Sequence, residues 1–227
     1  MQPVGFWRRY AAWSLDAAIV GLPAIALAWS RTQSALREVP RAFDVLSARL
    51  ATLMIDGLRS TQEPLSMMLG WLHGGALHAE SLALQAALCR ALQPGLTAFL
   101  LFAAIYWVGC ERSPWQATPG KRALGLVVTD IEQRPLGLGR ALARHVAGIA
   151  SWLTLNLGHA LAAVPPQKRA LHDHLAGTRV LQIEGDSRLP AWARGWLGLQ
   201  LVFAVALIVS LTLTMQDALR LAVENAL

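Results

Sequence analysis

The sequence predicts an all-α polytopic membrane protein, and three observations support this fold class. Only 15% of the 227 residues are charged and 55% are hydrophobic, whereas a soluble domain has about 25% charged residues. Four stretches without Lys, Arg or Glu reach the length of about 20 residues that a helix needs to cross a bilayer. Tryptophans lie near the ends of these stretches, where interfacial tryptophans are enriched. We expect about three transmembrane helices, a re-entrant helical hairpin, a small cytoplasmic β element and a helical extracytoplasmic insertion.

Residues 1–30 are expected to form the first membrane helix, with an apolar run from Tyr10 to Ser30. The start resembles a signal peptide, because "FWRR" precedes the run and "ALA" at 26–28 resembles a cleavage site. However, Asp16 lies within the run, and a carboxylate there costs about 2.5–3.5 kcal/mol on insertion scales. A short targeting segment has no partner for it, so a retained helix is expected.

Residues 31–90 differ in character from the apolar runs on either side. The stretch "RAFDVLSARLATLMIDGLRS" has apolar residues at helical spacing and charges on the other face, which is typical of an amphipathic helix. Pro64 begins a second helical stretch. We expect a helical insertion outside the bilayer. Residues 64–79 form an uncharged segment that offers an alternative, a short dip into the membrane.

The rest of the chain divides at its apolar runs. We expect a second helix at 91–110, a cytoplasmic loop at 111–144, a membrane segment at 145–167, a cytoplasmic segment at 168–194 and a last helix at 195–216. Basic residues collect at the cytoplasmic ends of membrane helices, which predicts an inner (plasma) membrane protein with a cytoplasmic N-terminus. The 145–167 segment has basic residues at both ends, so a re-entrant hairpin is favoured over a full span.

Two short pieces beside this segment are typical of strands. "GLVVTD" at 125–130 and "GTRVLQIE" at 177–184 are rich in β-branched residues and lie next to turn formers. We expect them to pair into a small cytoplasmic sheet.

The net charge of +6 does not indicate nucleic-acid binding. The basic residues form short clusters at the ends of apolar runs, where they contact the anionic membrane face. The two cysteines, Cys89 and Cys110, have no spacing typical of a disulfide framework or a zinc site.

Four ordered motifs carry a family resemblance: "RYAAWSLD", "ATPGKRALGLVV", "GLGRALAR" and "KRALHDHLAGTRV". With them the chain resembles the RDD family of small integral membrane proteins, which takes its name from one arginine and two aspartates. The family arginine corresponds to Arg9, with Arg8 as the second choice, and the aspartates correspond to Asp16 and Asp173. The resemblance implies a transport function. The insertion at 31–90 and the run after Trp196 depart from the family pattern.

Asp16 is the candidate intramembrane site. Arg9 lies two helical turns, roughly 10 Å, away, so we expect it to extend to the lipid phosphates. The expected partners of Asp16 are therefore His145, Asn156, His159, or a Lys or Arg from a loop. An ionisable group at membrane depth serves ion or proton movement, or it fixes helix registry through hydrogen bonds, and the sequence leaves both open.

The segment containing Pro119, Gly120 and Lys121 lacks two residues of a nucleotide-binding P-loop. That motif requires Gly at position 115 and Ser or Thr at position 122, where this chain has Trp115 and Arg122. We expect a Pro-Gly turn that Lys121 and Arg122 anchor at the lipid headgroups.

"HDH" at 172–174 suggests a metal site, but neighbouring residues on a helix do not face one another. We expect no metal there. Asp173 is expected to pair with Arg169, Arg179 or Lys121, so that 168–194 forms a polar latch at the cytoplasmic end of the helices.

No catalytic arrangement stands out, so we expect neither an enzyme nor a cofactor. The expected function is transport of an ion or small solute, by a transporter or a transporter subunit with Asp16 as its polar site. The alternative is a membrane scaffold that binds a partner through 31–90. Expected partners are the lipid bilayer and either further copies of the chain or a membrane partner protein, with no nucleic acid.

Overall fold

The computed structural model describes residues 1–59, 63–154, 157–183 and 188–226. Two residues from the sequence predictions, Asn156 and Glu184, lie outside this part. The chain is mostly helical, as predicted. Its helices are α1 Phe6–Leu36, α2 Glu38–Arg59, α3 Pro64–Gly74, α4 His78–Arg112, α5 Pro119–Ala123, α6 Leu138–Leu153, α7 Leu157–Ala160, α8 Leu171–Leu175 and α9 Ala191–Ala226, and its strands are β1 Gln2–Pro3, β2 Leu126–Asp130 and β3 Thr178–Gln182.

Three helical stretches are long and apolar enough to cross a membrane in the described part of the chain. They lie within 6–59, 78–112 and 191–225, and they contain the first, second and last apolar runs of the sequence. This confirms the prediction of about three helices able to span a membrane. The predicted re-entrant hairpin at 145–167 and the outside location of 31–90 remain predictions. Residues 145–167 contain part of α6, all of α7 and a 3₁₀ turn at Leu161–Ala163. Residues 31–90 contain α2, α3 and parts of α1 and α4.

The small sheet is also confirmed, with one strand more than the sequence predicted. β3 is the central strand and pairs antiparallel with β2, Val128 opposite Val180. On its other edge β3 pairs with β1, Pro3 opposite Leu181. A strand of only two residues has too few positions to show the alternation by which strands are recognised in a sequence.

The chain divides into two compact units, 1–26 with 98–200 and 27–97 with 201–227. The first unit holds the sheet, α5 to α8 and the adjoining ends of α1, α4 and α9. The small alanines of the apolar core let helix backbones approach the sheet residues closely. The core of the first unit is formed by Val4, Ala11, Ala12, Leu124, Leu126, Val128, Leu136, Ala141, Val180 and Ala193.

The second unit is helical. Ser47, Ala51 and Ile55 form the buried stripe of α2, at the spacing that the amphipathic pattern predicted. Arg90 of α4 donates to Glu38 of α2 at 2.9 Å, with both side chains exposed.

Candidate functional site

Asp16 is completely buried on α1, and three neutral donors surround its carboxylate. The Tyr106 hydroxyl donates to Oδ1 at 2.8 Å, the Thr118 hydroxyl to Oδ2 at 2.5 Å, and the Gly120 backbone N–H to Oδ1 at 2.8 Å. A buried carboxylate is tolerated when its oxygens accept hydrogen bonds. Neutral donors therefore satisfy both oxygens of Asp16, and no cation is among its hydrogen-bond partners in the described part of the chain.

The local sequence of α5 explains how it presents these donors. Thr118 has an extended backbone and caps the helix, accepting from the Lys121 N–H at 3.4 Å. Pro119 occupies the first helical turn, where its missing N–H costs nothing. A Cβ on Gly120 would lie 2.4 Å from the Ala12 carbonyl oxygen and 2.8 Å from the Asp16 carboxyl. Only glycine lets α5 approach α1 this closely.

Among the described residues, the predicted partners of Asp16 were wrong. Hydroxyl and amide donors from α4 and α5 occupy both oxygens, in place of His145, His159 or a basic loop residue. Asn156 lies outside the described residues. The prediction followed the rule that buried charges seek opposite charges, whereas here three neutral hydrogen bonds fill that role.

A second polar group lies in the same unit, and we call it the ion network: Arg9, Glu111, Lys121, Arg144 and Asp173. Arg9 donates to Asp173 Oδ2 at 2.5 Å, and Arg144 donates to the other oxygen of Asp173. Arg144 also contacts Glu111 at 3.1 Å, and Lys121 Nζ lies 2.5 Å from the other oxygen of Glu111. The network joins α1, α4, α5, α6 and α8 through five side chains.

Water is largely excluded from the ion network. Arg9 and Lys121 expose 12% and 11% of their side chains, and the other three expose 7% or less. Burial by itself raises the pKa of Asp173, but the charges of Arg144 and Arg9 outweigh it and hold this pKa well below its usual range. Burial lowers the pKa of Arg144, and Asp173 and Glu111 more than restore it. Both side chains therefore carry their charges at neutral pH.

Three expectations for these residues are corrected. Arg9 pairs with Asp173 instead of extending to lipid phosphates. Lys121 is buried against Glu111 instead of anchoring a turn at the headgroups. Asp173 pairs with Arg9 and Arg144, while Arg169 donates to its backbone carbonyl at 2.7 Å. The predicted tie between Asp173 and the loop after the second helix exists, but it passes through Arg144 and Glu111.

His172 extends the ion network toward α6. Its Nδ1 lies 3.3 Å from the Ser151 hydroxyl, and its ring lies 5.2 Å from that of His159. Burial and, next, the charge of Arg144 lower the pKa of His172 to about 2, so the ring stays neutral. Ser151 is completely buried, which keeps a substrate from its hydroxyl.

No group of three or more His, Cys, Asp or Glu side chains suited to a metal ion occurs among the described residues. His174 is exposed whereas His172 is mostly buried. The two histidines of the triplet therefore do not share one site.

Tyr106, Glu111 and Arg144 belong to the site, but their signals in the sequence are weak. Tyr106 lies inside an apolar run, and Glu111 directly follows that run, so it resembles an ordinary solvated flank. Arg144 ends the quoted motif "GLGRALAR", but its charge suggested a membrane flank. Arg144 and Asp173 are 29 residues apart in the chain. Contacts between residues so distant leave no periodic pattern in a single sequence.

Comparison with known proteins adds three findings. The model of the RDD family matches residues 3–177, a range that contains Asp16, α5 and the whole ion network. Uncharacterized protein YxaI of Bacillus subtilis (strain 168) is 24% identical over 180 residues, which cover 79% of this chain and 97% of that protein. No solved structure matches the chain.

Proposed function

The chain belongs to the RDD family and is a membrane protein, and we propose that it moves an ion or a small solute across the bilayer. It acts as a transporter or as the membrane subunit of one, in the inner membrane with its N-terminus in the cytoplasm. It is not an enzyme. The observation that supports this function best is the complete burial of an ionisable group within a candidate span, Asp16 on α1, together with a buried ion network at the span ends that includes Arg9 and Glu111.

These groups are costly for a protein that only needs to be stable. Apolar residues of similar volume often replace a buried ion pair without loss of stability. Ionisable groups on membrane helices mark transport pathways or proton relays more often than they serve packing alone. Arg144 contacts Glu111 and Asp173 together, so a shift of one carboxylate leaves it with the other. Such a shared cation suits a gate that opens and closes.

A pathway of this kind needs more than one chain. Three spans enclose little space, and the most apolar window of the last one has no residue buried within the chain. We propose that a second copy or a membrane partner protein covers part of this surface, with lipid on the remainder.

The test is ion flux in everted membrane vesicles that contain the full chain. A pH-sensitive dye reports proton movement after addition of Na⁺, K⁺ or Li⁺, and labelled small solutes are tested in parallel. The Asp16→Asn variant keeps the shape of the side chain and removes its charge. We expect flux with the wild type and at least a tenfold loss with Asp16→Asn at equal amounts of folded protein.

The matched control is Asp217→Asn, which neutralises an exposed carboxylate on α9. It should transport as the wild type does. Equal flux in Asp16→Asn and Asp217→Asn would contradict a role for Asp16, and no flux above that of empty vesicles for any solute would contradict transport.

A second candidate function is a non-catalytic scaffold, which the surface of the 31–90 region favours. Val45 and Leu58 on α2 and Leu65 on α3 expose 59%, 86% and 62% of their area, which suits a partner's apolar surface. Replacing Val45 and Leu58 by Gln would then abolish partner binding, whereas Asp16→Asn would leave partner binding intact. For flux, the transport proposal requires the reverse pattern.

A further inference from the structure

We infer that α6 lies in the plane of the membrane surface with one apolar face sunk into the lipid. The evidence is a row of large aliphatic side chains on this helix, which we call the α6 stripe. Its members expose 53%, 49%, 54% and 57% of their area, and they are Leu138, Leu142, Val146 and Ile149.

The α6 stripe occupies one side of the helix. At about 100° per residue, its four positions fall within about 80° of one another. Arg144 and Ser151 lie on the opposite side and are buried. Arg144 contacts Glu111 and Asp173, and Ser151 contacts His172. The protein thus occupies the polar side of α6 and leaves the aliphatic side uncovered.

The ion network also fixes the depth of α6. Arg144 contacts Glu111, which lies one residue before the end of α4 at Arg112. It also shares Asp173 with Arg9, which lies in the first turn of α1. Both α1 and α4 belong to candidate spans. Residue 144 is therefore held at the level where two spans end, which is where the headgroups begin.

Lipid is the occupant that suits this position. A helix of 16 residues is about 24 Å long, shorter than the roughly 30 Å of a hydrocarbon core. Amphipathic helices in the membrane plane sink their apolar face about 5–10 Å into the boundary between headgroups and acyl chains. The hairpin predicted for 145–167 is thereby replaced by a surface helix over 138–153.

Spin labels measure this depth directly. The full chain with Cys89→Ala and Cys110→Ala receives one cysteine at a time at the four stripe positions and is labelled in liposomes of phosphatidylethanolamine and phosphatidylglycerol. Collision rates with oxygen, which dissolves in lipid, and with a water-soluble nickel chelate give the depth of each label. We expect oxygen to dominate at all four positions, with depths that agree within about 5 Å.

The other arrangements give different depth profiles. A helix that enters the membrane steeply changes depth by about 1.5 Å per residue, or about 16 Å from Leu138 to Ile149, and this result would overturn the inference. Labels that neither reagent reaches would place protein over the stripe, and nickel-accessible labels would place it in water. Either result also overturns the inference.

Two control labels calibrate the measurement. Ala143→Cys, at an exposed position about 100° from the middle of the stripe, should be accessible to the nickel chelate. Leu207→Cys, in the apolar part of α9 where the side chain is 48% exposed, should give the deepest value. Because the labelled side chains are half-exposed, the variants keep their fold, which gel filtration in detergent checks.

Discussion

The close approach of α5 to α1 depends on Gly120. Its N–H donates to Asp16, and its Cα lies against the backbone of α1, so a side chain has no space there. Moving α5 away from α1 would break two hydrogen bonds, because Thr118 and Gly120 both donate to the Asp16 carboxylate. The demand for glycine arises from this contact and not from the backbone conformation of α5.

We therefore expect Gly120→Ala to lower the free energy of unfolding by about 1–3 kcal/mol, the usual cost of forcing a methyl group into a packed site. Thermal unfolding in detergent measures this as a lower midpoint temperature. Gly139→Ala is the matched control, since a Cβ there meets no atom within 4 Å. It should leave the midpoint unchanged or raise it slightly. Equal midpoints for the two variants would contradict the close approach.

Among short elements, α8 depends on side-chain contacts for its position. A helix of five residues cannot form alone, because nucleation is costly. Asp173 holds it by accepting from the Ala170 N–H at 3.0 Å and by binding Arg9 and Arg144. Asp173 therefore ties α8, and the start of β3 at Thr178, to α1 and α6.

This dependence predicts an acid-sensitive fold. The pKa of Asp173 is lowered in the folded chain and is about 3.9 when unfolded. Its contribution to stability is therefore complete above about pH 4 and is lost as the pH falls below that value. Asp173→Asn should cost about 3–5 kcal/mol at neutral pH, because Arg9 stays buried without its counter-charge and Arg144 keeps only Glu111.

Chemical unfolding between pH 3 and pH 7 checks both expectations. The slope below pH 4 should be smaller for Asp173→Asn than for the wild type. Asp44→Asn, at an exposed position on α2, should keep the wild-type stability and slope. If Asp173→Asn matched the wild type at neutral pH, the carboxylate would not hold α8.

The sequence was a good guide to elements whose pattern repeats and a poor guide to those fixed by distant contacts. Apolar runs revealed the three candidate spans, and β-branched residues revealed β2 and β3, because burial leaves a periodic signal. Four motifs also identified Arg9, Asp16 and Asp173. Their partners stayed hidden, since Tyr106 and Thr118 are 90 and 102 residues from Asp16 and no local rule links them.

For the whole molecule, the order of spans predicts which side of the membrane each terminus reaches. α1 begins, α4 ends and α9 begins in the first unit, where exposed Arg112 and Arg122 lie close in sequence to the end of α4. Since basic residues are enriched on the cytoplasmic side, we predict a cytoplasmic N-terminus and, after three crossings, a C-terminus outside.

Green fluorescent protein, which becomes fluorescent in the cytoplasm but not after export through the general secretory route, tests this topology. We expect a fusion at the N-terminus to fluoresce and a fusion after Leu227 to remain dark. A fusion after Pro190, which omits α9, is the control and should fluoresce. A bright full-length C-terminal fusion would mean an even number of crossings and would refute the predicted order.

The separation of Asp16 from its donors also has a consequence for biosynthesis. The ribosome incorporates Gly120 104 residues after Asp16. At about 5–20 residues per second, the delay is about 5–20 s. Until Tyr106, Thr118 and Gly120 are made, the newly inserted helix carries a carboxylate without its full set of donors, so a chain that stops before Thr118 never forms the Thr118 and Gly120 hydrogen bonds. Proteases that survey nascent membrane proteins would then distinguish truncated from finished chains by this single acid.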